Sequence, residues 1–195
     1  MFFYTNQKLA WLSIPKNAST SLTQVFGDQL GWQRQDLYDP TIDLDNLEFF
    51  GCLRDPDVRH TVGVAQFLTT QKLTWLVNFY PKILACSILD EHSMPLHFLI
   101  PQPVLDRCTF FLIDGPQTPW PNHLISWLSR RGVELPGPIP SLNSSRDSHE
   151  ELRQRITDIK QRFPVLHNKL MKWALARDRL LYRKHIVIQH ELFDK

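Results

Sequence analysis

A chain of 195 residues with 43% hydrophobic residues is long enough to bury one core, and we predict a single domain over residues 1–195. The formal net charge of +2 is too small to favour nucleic acid as the main partner. No apolar run approaches the roughly 20 residues of a membrane span, and no targeting segment is visible. We therefore expect a cytoplasmic protein without membrane insertion.

The first predicted unit is a strand, a loop and a helix. Residues 8–14 are typical of a short buried strand, Ser19 and Thr20 are helix-capping types, and Leu22 begins an apolar helical pattern. A helix amino terminus carries N–H donors and a partial positive charge, and Lys16 in the preceding loop adds a full charge. The pattern favours a phosphate site, although a solvated lysine is the ordinary alternative. The chain lacks the Gly-x-x-x-x-Gly-Lys pattern, which argues against a nucleoside triphosphatase.

A second unit has the same order. Residues 47–53 predict a buried strand that leads into Arg54, and Asp55 and Pro56 are typical of a helix cap and a first helical residue. Arg54 can offer a rigid fork to a phosphate, and Arg59 either pairs with Asp55 or faces the same ligand. The alternative is a capped helix with a local Arg–Asp pair. The predicted apolar face of this helix is Val58, Val62, Ala65 and Phe67 or Leu68.

The rest of the chain continues the alternation of helix and strand. Residues 71–89 predict a helical stretch, residues 90–103 a loop, and residues 107–113 a third strand. A helix around Leu124, Trp127 and Leu128 and another that starts at Pro164 follow. Alternating strands and helices predict an α/β fold with a central parallel sheet flanked by helices. In the first of these helical stretches the predicted core residues are Trp75, Leu76, Phe79, Ile83 and Leu84.

The three cysteines are few, odd in number and far apart, so we expect buried thiols without a disulfide framework. They are Cys52, Cys86 and Cys108. The histidines show no metal-ligand spacing, and no metal is expected.

Together these segments resemble the sulfotransferase family, in particular its carbohydrate-type branch, whose donor is 3′-phosphoadenosine-5′-phosphosulfate. Residues 14–22, Ile-Pro-Lys-Asn-Ala-Ser-Thr-Ser-Leu, are similar to the loop that binds the 5′-phosphosulfate. Residues 53–59 contain Arg-Asp-Pro-x-x-Arg, which resembles the 3′-phosphate motif. Residues 90–95 resemble an Asp-x-His-x-x-Pro stretch, and residues 178–182 resemble the Asp-x-x-Leu-Tyr that closes many members. The resemblance implies a P-loop-like three-layer fold.

The resemblance also implies the reaction and its residues. A sulfuryl group would pass to a hydroxyl of a glycan or another acceptor, and Lys16 would stabilise the leaving oxygen. His92 is the first candidate for the general base, with Glu91 and Asp36 as lesser ones. The donor-binding residues implied are Lys16, Asn17, Ala18, Ser19, Thr20, Ser21, Arg54 and Thr61.

Two positions depart from the family pattern. The family places a serine eight residues after the motif arginine, where this chain has Val62 with Thr61 beside it, and Leu96 replaces a common glutamine. A degenerate, noncatalytic nucleotide-binding or structural protein is therefore a second hypothesis. A kinase-like phosphotransferase is disfavoured because the Walker lysine context and metal-binding carboxylates are missing.

Overall fold

The computed structural model describes residues 1–84, 87–114, 120–140 and 146–193. The chain divides into two compact units. We call Met1–Arg54, Ile100–Leu142 and Tyr182–Lys195 the sheet unit, and Asp55–Leu99 and Asn143–Leu181 the helical unit. The single domain expected over residues 1–195 stays a prediction.

A five-stranded sheet forms the centre of the sheet unit, with the strand order β3-β1-β2-β4-β5. Strands β2, β4 and β5 are mutually parallel, whereas β1 is antiparallel to both β2 and β3. The α/β class and the three predicted strands are confirmed. The prediction of a wholly parallel sheet is wrong, because β1 is antiparallel to both of its neighbours. The strands are β1 (Phe2–Thr5), β2 (Leu9–Leu12), β3 (Gln33–Asp36), β4 (Glu48–Leu53) and β5 (Thr109–Leu112).

Aromatic rings fill the core beside this sheet. Phe26 packs within 5.3 Å, between ring centroids, of Trp11, Trp32 and Phe50, and Trp127 packs on Phe50 at 5.0 Å. The predicted helix around Leu124, Trp127 and Leu128 is confirmed, and all three side chains are buried. The helical segments here are α1 (Ser19–Thr23), which continues into the π-helical segment Gln24–Gln29, α6 (Gln102–Arg107) and α7 (Trp120–Ser129).

Helices build the helical unit. A core of aliphatic side chains, including Val64, Leu68, Val77 and Ile156, lies between them. The helices are α2 (Pro56–Thr70), α3 (Leu76–Phe79), α4 (Pro81–Leu84), α5 (Leu96–Leu99), α8 (Arg146–Arg162) and the part of α9 (Pro164–Phe193) up to Leu181.

The helical stretch predicted at residues 71–89 is wrong in its detail. It forms the two short helices α3 and α4, because Pro81 lacks the N–H needed to continue α3 and suits a helix start. Leu84 is buried as expected, but Trp75, Phe79 and Ile83 are exposed. The predicted face assumed one continuous helix. Because α3 ends at Phe79 and α4 begins at Pro81, helical spacing no longer places these three side chains on one buried side.

Cys52 and Cys108 are buried free thiols, as predicted, and burial raises the pKa of both. Cys86 lies outside the described residues. None of the helices in the described ranges combines the length and the apolar character that crossing a bilayer demands.

Candidate functional site

The loop after β2 has an unusual backbone. Pro15 and Lys16 occupy the centre of a turn in which the Asn17 N–H donates to the Ile14 carbonyl at 3.2 Å. Lys16 has a φ of 66° and Ala18 a φ of 60°, both in the left-handed region. Proline followed by a positive φ is the pattern of a type II turn. A non-glycine residue in this region costs about 1 kcal/mol or more, and such strain is frequent at ligand-binding loops.

The Asn17 side chain fixes this loop to the neighbouring strand. Asn17 is only 2% exposed, and its Nδ2 donates to the Cys52 carbonyl of β4 at 2.8 Å. Trp11 of β2 lies opposite Phe50 of β4, so the two parallel strands end at the same edge of the sheet. The side chain of Asn17 is used for this anchor and its backbone N–H for the turn. Its predicted part in donor binding stays a prediction, and these two hydrogen bonds count against it.

Ala18, rather than Ser19 or Thr20, is the capping residue of α1. The expected cap is therefore wrong by one to two residues, because the left-handed turn at Ala18 places Ser19 inside the helix. Ala18 has no side-chain acceptor, so the cap position supplies none for the first-turn N–H groups. Thr20 is exposed, Ser19 is half-buried and Ser21 is buried. Their donor-binding roles stay predictions.

Arg54 leaves the same edge from β4, the strand next to β2. Its Nε lies 3.3 Å from Oδ1 of Asp114, and Asp114 comes two residues after the end of β5. A guanidinium has five N–H donors in one plane, and the Asp114 carboxylate lies on the Nε side of this group. The ion pair therefore favours one orientation of the Arg54 guanidinium. An anion that binds Arg54 would therefore meet the Asp114 carboxylate nearby.

Asp55 caps α2 as predicted, and Pro56 is its first residue. Oδ1 of Asp55 accepts from the N–H groups of Asp57 at 2.9 Å and Val58 at 3.2 Å. Val58 itself is exposed, so its predicted place on the apolar face is wrong. The inward side of the first turns of α2 is instead occupied by Arg59, His60 and Thr61.

Thr61 belongs to the helical unit, and its hydroxyl already has two protein contacts. It donates to the Asp57 carbonyl at 2.9 Å and accepts from Lys160 Nζ at 2.7 Å. Lys160 Nζ also lies 2.9 Å from Nδ1 of His60. A role for Thr61 in binding the 3′-phosphate stays a prediction, and these two hydrogen bonds count against it.

Beside Thr61, a carboxylate joins α2 to α9. Arg179 donates to both oxygens of Asp57, with the shortest distance 2.8 Å, and His167 Nε2 lies 3.4 Å from Oδ1. Burial by itself raises the pKa of Asp57, but the hydrogen bonds from His167 and Arg179 bring it well below its usual value. Asp57 is therefore ionised at neutral pH and has no part in proton transfer.

His92, the predicted base, is held by a carboxylate two residues earlier. Its Nδ1 lies 2.8 Å from Oδ2 of Asp90, and Oδ1 of Asp90 accepts from the N–H groups of His92 and Ser93. A carboxylate at Nδ1 favours the tautomer with its proton there and leaves Nε2 as the proton acceptor. Glu91 is exposed, and Asp36 lies 3.7 Å from the amino terminus in the sheet unit.

The backbone that carries His92 lies directly against α2 at Gly63. A Cβ at Gly63 would come within 2.5 Å of the His92 carbonyl carbon and 2.7 Å of the Ser93 nitrogen. We expect Gly63→Ala to lower the free energy of unfolding by about 2 kcal/mol, because the backbone clash outweighs the roughly 1 kcal/mol gain in helix propensity. Urea denaturation followed by circular dichroism measures this change.

Gly137→Ala is the matched control, since a Cβ there would have no neighbour within 4 Å. We expect this variant to unfold within about 0.5 kcal/mol of the wild type. Equal stability of the two variants would show that the segment at His92 yields to the added methyl group.

Sequence reasoning missed the structural part played by Arg59. This side chain is 1% exposed, its Nη2 donates to the Met94 carbonyl, and its Nη1 lies 3.9 Å from Oδ2 of Asp178. Asp178 in turn accepts from the Leu96 N–H at 2.8 Å and lies 3.4 Å from Nδ1 of His97. The expected pairing of Arg59 with Asp55 is therefore wrong, because its ionic partner is Asp178. The alternative that Arg59 faces a ligand stays a prediction, and its burial counts against it.

Burial lowers the pKa of Arg59 to about 10 and raises the pKa of Asp178, although each charge offsets part of the shift in the other. Arg59 stays charged at neutral pH. The pair connects three segments singled out from the sequence, residues 53–59, 90–95 and 178–182. The only sequence signal for this pair was that Arg59 and Asp178 each stand inside one of these motifs.

Comparison with known proteins found no matching family model, no matching curated protein and no matching solved structure. Among the described residues, no group of three or more His, Cys, Asp and Glu side chains is placed to hold a metal ion.

Proposed function

We propose that this chain is a sulfotransferase of P-loop-like fold that uses 3′-phosphoadenosine-5′-phosphosulfate as donor and a hydroxyl group, on a carbohydrate or another molecule, as acceptor. One observation carries the proposal. The two segments that resemble phosphate-binding motifs leave neighbouring parallel strands at the same edge, and Asn17 ties the first of them to the second strand. The carboxyl ends of parallel strands are the usual place for a nucleotide in an α/β sheet.

Different residues of the sheet unit would bind the two phosphate groups of the donor. The N–H groups of residues 18–21 would bind the 5′-phosphate at the start of α1, and Arg54 would bind the 3′-phosphate. The bound donor would supply the sulfuryl group. Lys16 would stabilise the negative charge that grows on the leaving phosphate oxygen.

The proton of the acceptor hydroxyl needs a base, and His92 is the residue proposed for it. Its support is the contact between Asp90 and Nδ1, which leaves Nε2 to accept a proton. The Asp90–His92 pair lies within the helical unit.

A second candidate is a noncatalytic nucleotide-binding protein. Three observations favour it: Val62 stands where the family has a serine, the Thr61 hydroxyl is bonded to Asp57 and Lys160, and Arg54 is paired with Asp114. Each of these weakens the predicted contacts to the 3′-phosphate. None of them affects the loop that carries Lys16.

Calorimetric titration with 3′-phosphoadenosine-5′-phosphate, the product of the donor, tests the nucleotide site. We expect micromolar binding by the wild type and a loss of about 10- to 100-fold in each of Lys16→Ala and Arg54→Ala, because each removes a charge-assisted hydrogen bond to phosphate. Lys8→Ala is the control, since Lys8 is an exposed lysine of the same unit that precedes β2. Its affinity should equal that of the wild type.

The outcomes separate the candidates. A folded wild type that does not bind the nucleotide contradicts both. Binding that depends on Lys16 and Arg54, without transfer of sulfate from the donor to any hydroxyl compound tested, supports the noncatalytic candidate. Transfer that is lost in His92→Gln while binding persists supports the enzyme and its proposed base.

A further inference from the structure

Helix α9 has a buried side and an opposite side that carries large exposed apolar residues. Its buried residues His167, Met171, Leu175 and Asp178 follow each other at intervals of four, four and three positions. Trp173 lies about 200° around the helix from both Met171 and Leu175, and it is 84% exposed. The helix therefore packs one side and presents Trp173 on the other.

Further apolar residues share this presented side. Leu180 lies about 20° from Trp173 around the helix and is 66% exposed, and Val165 is exposed about 80° from it. An exposed tryptophan with an exposed leucine two turns along the same side is costly in water, because both surfaces gain by leaving it. Along the axis the group from Val165 to Leu180 covers about 22 Å.

Cations border this apolar group on both sides. Lys169 and Arg177 lie about 40° to either side of Trp173, and Lys172 is adjacent to it in the chain. All three are exposed, and none forms an ion pair with a carboxylate of the described residues. We call Val165, Lys169, Lys172, Trp173, Arg177 and Leu180 the outer face of α9.

We propose that the outer face of α9 binds the surface of an anionic lipid bilayer, so that the protein associates with membranes peripherally. Charge complementarity selects an anionic partner, since Lys169, Lys172 and Arg177 are the charged residues of this face. A helix that lies on a bilayer buries its tryptophan and aliphatic residues at the headgroup level, while flanking lysines and arginines extend to lipid phosphates. This arrangement does not require a membrane-spanning segment.

The aliphatic residues distinguish lipid from other anionic partners. Sugars and nucleotide bases stack on flat rings, so they would gain from Trp173 but little from Leu180. A bilayer gains from both side chains, because it rewards apolar area of any shape. The proposal concerns a surface of the helical unit and does not rest on the proposed function.

Vesicle sedimentation with the full chain tests the proposal. We expect binding to vesicles of phosphatidylcholine with about 30% phosphatidylglycerol at about 0.1 M salt, and little binding to phosphatidylcholine alone. Lys169→Gln with Lys172→Gln should weaken binding by about 25-fold, or about fivefold for each charge. Trp173→Ala with Leu180→Ala should weaken it by about tenfold or more.

Two matched controls lie off the face. Phe79→Ala removes an exposed aromatic ring of α3, and Lys8→Gln removes an exposed charge of the sheet unit. Both should sediment like the wild type, and circular dichroism should show every variant folded. A folded wild type that does not sediment with anionic vesicles overturns the proposal. Sedimentation with anionic vesicles that falls with the lysine pair but not with the Trp173 and Leu180 pair also overturns it, because the face would then recognise negative charge alone and no apolar side chain would enter the bilayer.

Discussion

Arg59→Ala is expected to lower the free energy of unfolding by about 3–5 kcal/mol, the largest effect of any substitution considered. Arg59 is 1% exposed in α2, 3.9 Å from Asp178, which is buried as well. Its removal leaves the Asp178 carboxylate without its nearest cation and the Met94 carbonyl without its donor. Urea denaturation followed by circular dichroism measures the loss.

A double-mutant cycle separates the ion pair from the packing. Arg59→Met and Asp178→Asn should each destabilise the protein, and the double variant should recover about 1–3 kcal/mol relative to the sum of the single losses. Arg107→Ala is the matched control, because Arg107 pairs with the highly exposed Asp45 and should cost about 1 kcal/mol or less. Equal losses for Arg59→Ala and Arg107→Ala would show that the buried ion pair contributes no more to the free energy of unfolding than the exposed one.

This pair also marks the limit of reasoning from the sequence. Buried strands such as β4 were predictable, because a run of apolar residues between polar segments has few other solutions. The inward side of α2 was not, since the helical pattern assigns Val58 to the core and Arg59 to Asp55 or a ligand, and it gives no reason to bury His60. What reverses the assignment is a set of partners far along the chain, with Asp178 beside Arg59 and Lys160 beside His60. Strand β3 was missed for a related reason, because its four polar residues pair with β1 through the backbone.

For the candidate site, the sequence placed Lys16 and Arg54 directly after two predicted strands, because the order of strand, loop and helix was visible. The sequence did not predict the hydrogen bond from Asn17 to the Cys52 carbonyl or the ion pair of Arg54 with Asp114. Both contacts depend on which strands become neighbours. The left-handed backbone at Ala18 was equally hidden, since alanine carries no signal for that conformation.

Acidification from pH 7 to pH 5 is expected to destabilise the protein by about 2 kcal/mol through His60 alone. His60 is fully buried, its Nε2 lies 3.0 Å from the Ser87 carbonyl, and its Nδ1 lies 2.9 Å from Lys160 Nζ. Burial, followed by the charge of Lys160, lowers the pKa of His60 to about 3. Below pH 6.5 the unfolded chain binds a proton that the folded protein does not, so stability falls with pH until about pH 3.

Other titratable groups change the stability in different parts of this pH range or in the opposite direction. Burial lowers the pKa of His185 to about 4, which adds a loss of the same sign, whereas Asp57 acts only below about pH 4 because its pKa is depressed. The raised pKa of Asp178 works in the opposite direction, since protonation stabilises its buried carboxyl. The window from pH 7 to pH 5 therefore excludes Asp57, and the opposite contribution of Asp178 is common to the wild type and to a variant of His60.

His60→Gln tests this assignment, because the amide can still donate to the Ser87 carbonyl but cannot bind a proton in this range. Unfolding free energies of the wild type and the variant at pH 7 and pH 5 give two differences. We expect the difference to be about 2 kcal/mol smaller in His60→Gln, whatever its stability at pH 7, with His185→Gln as a separate variant for the other buried ring. An unchanged difference in His60→Gln would mean that the folded protein accepts a proton on His60 despite Lys160, by moving one of the two side chains toward water.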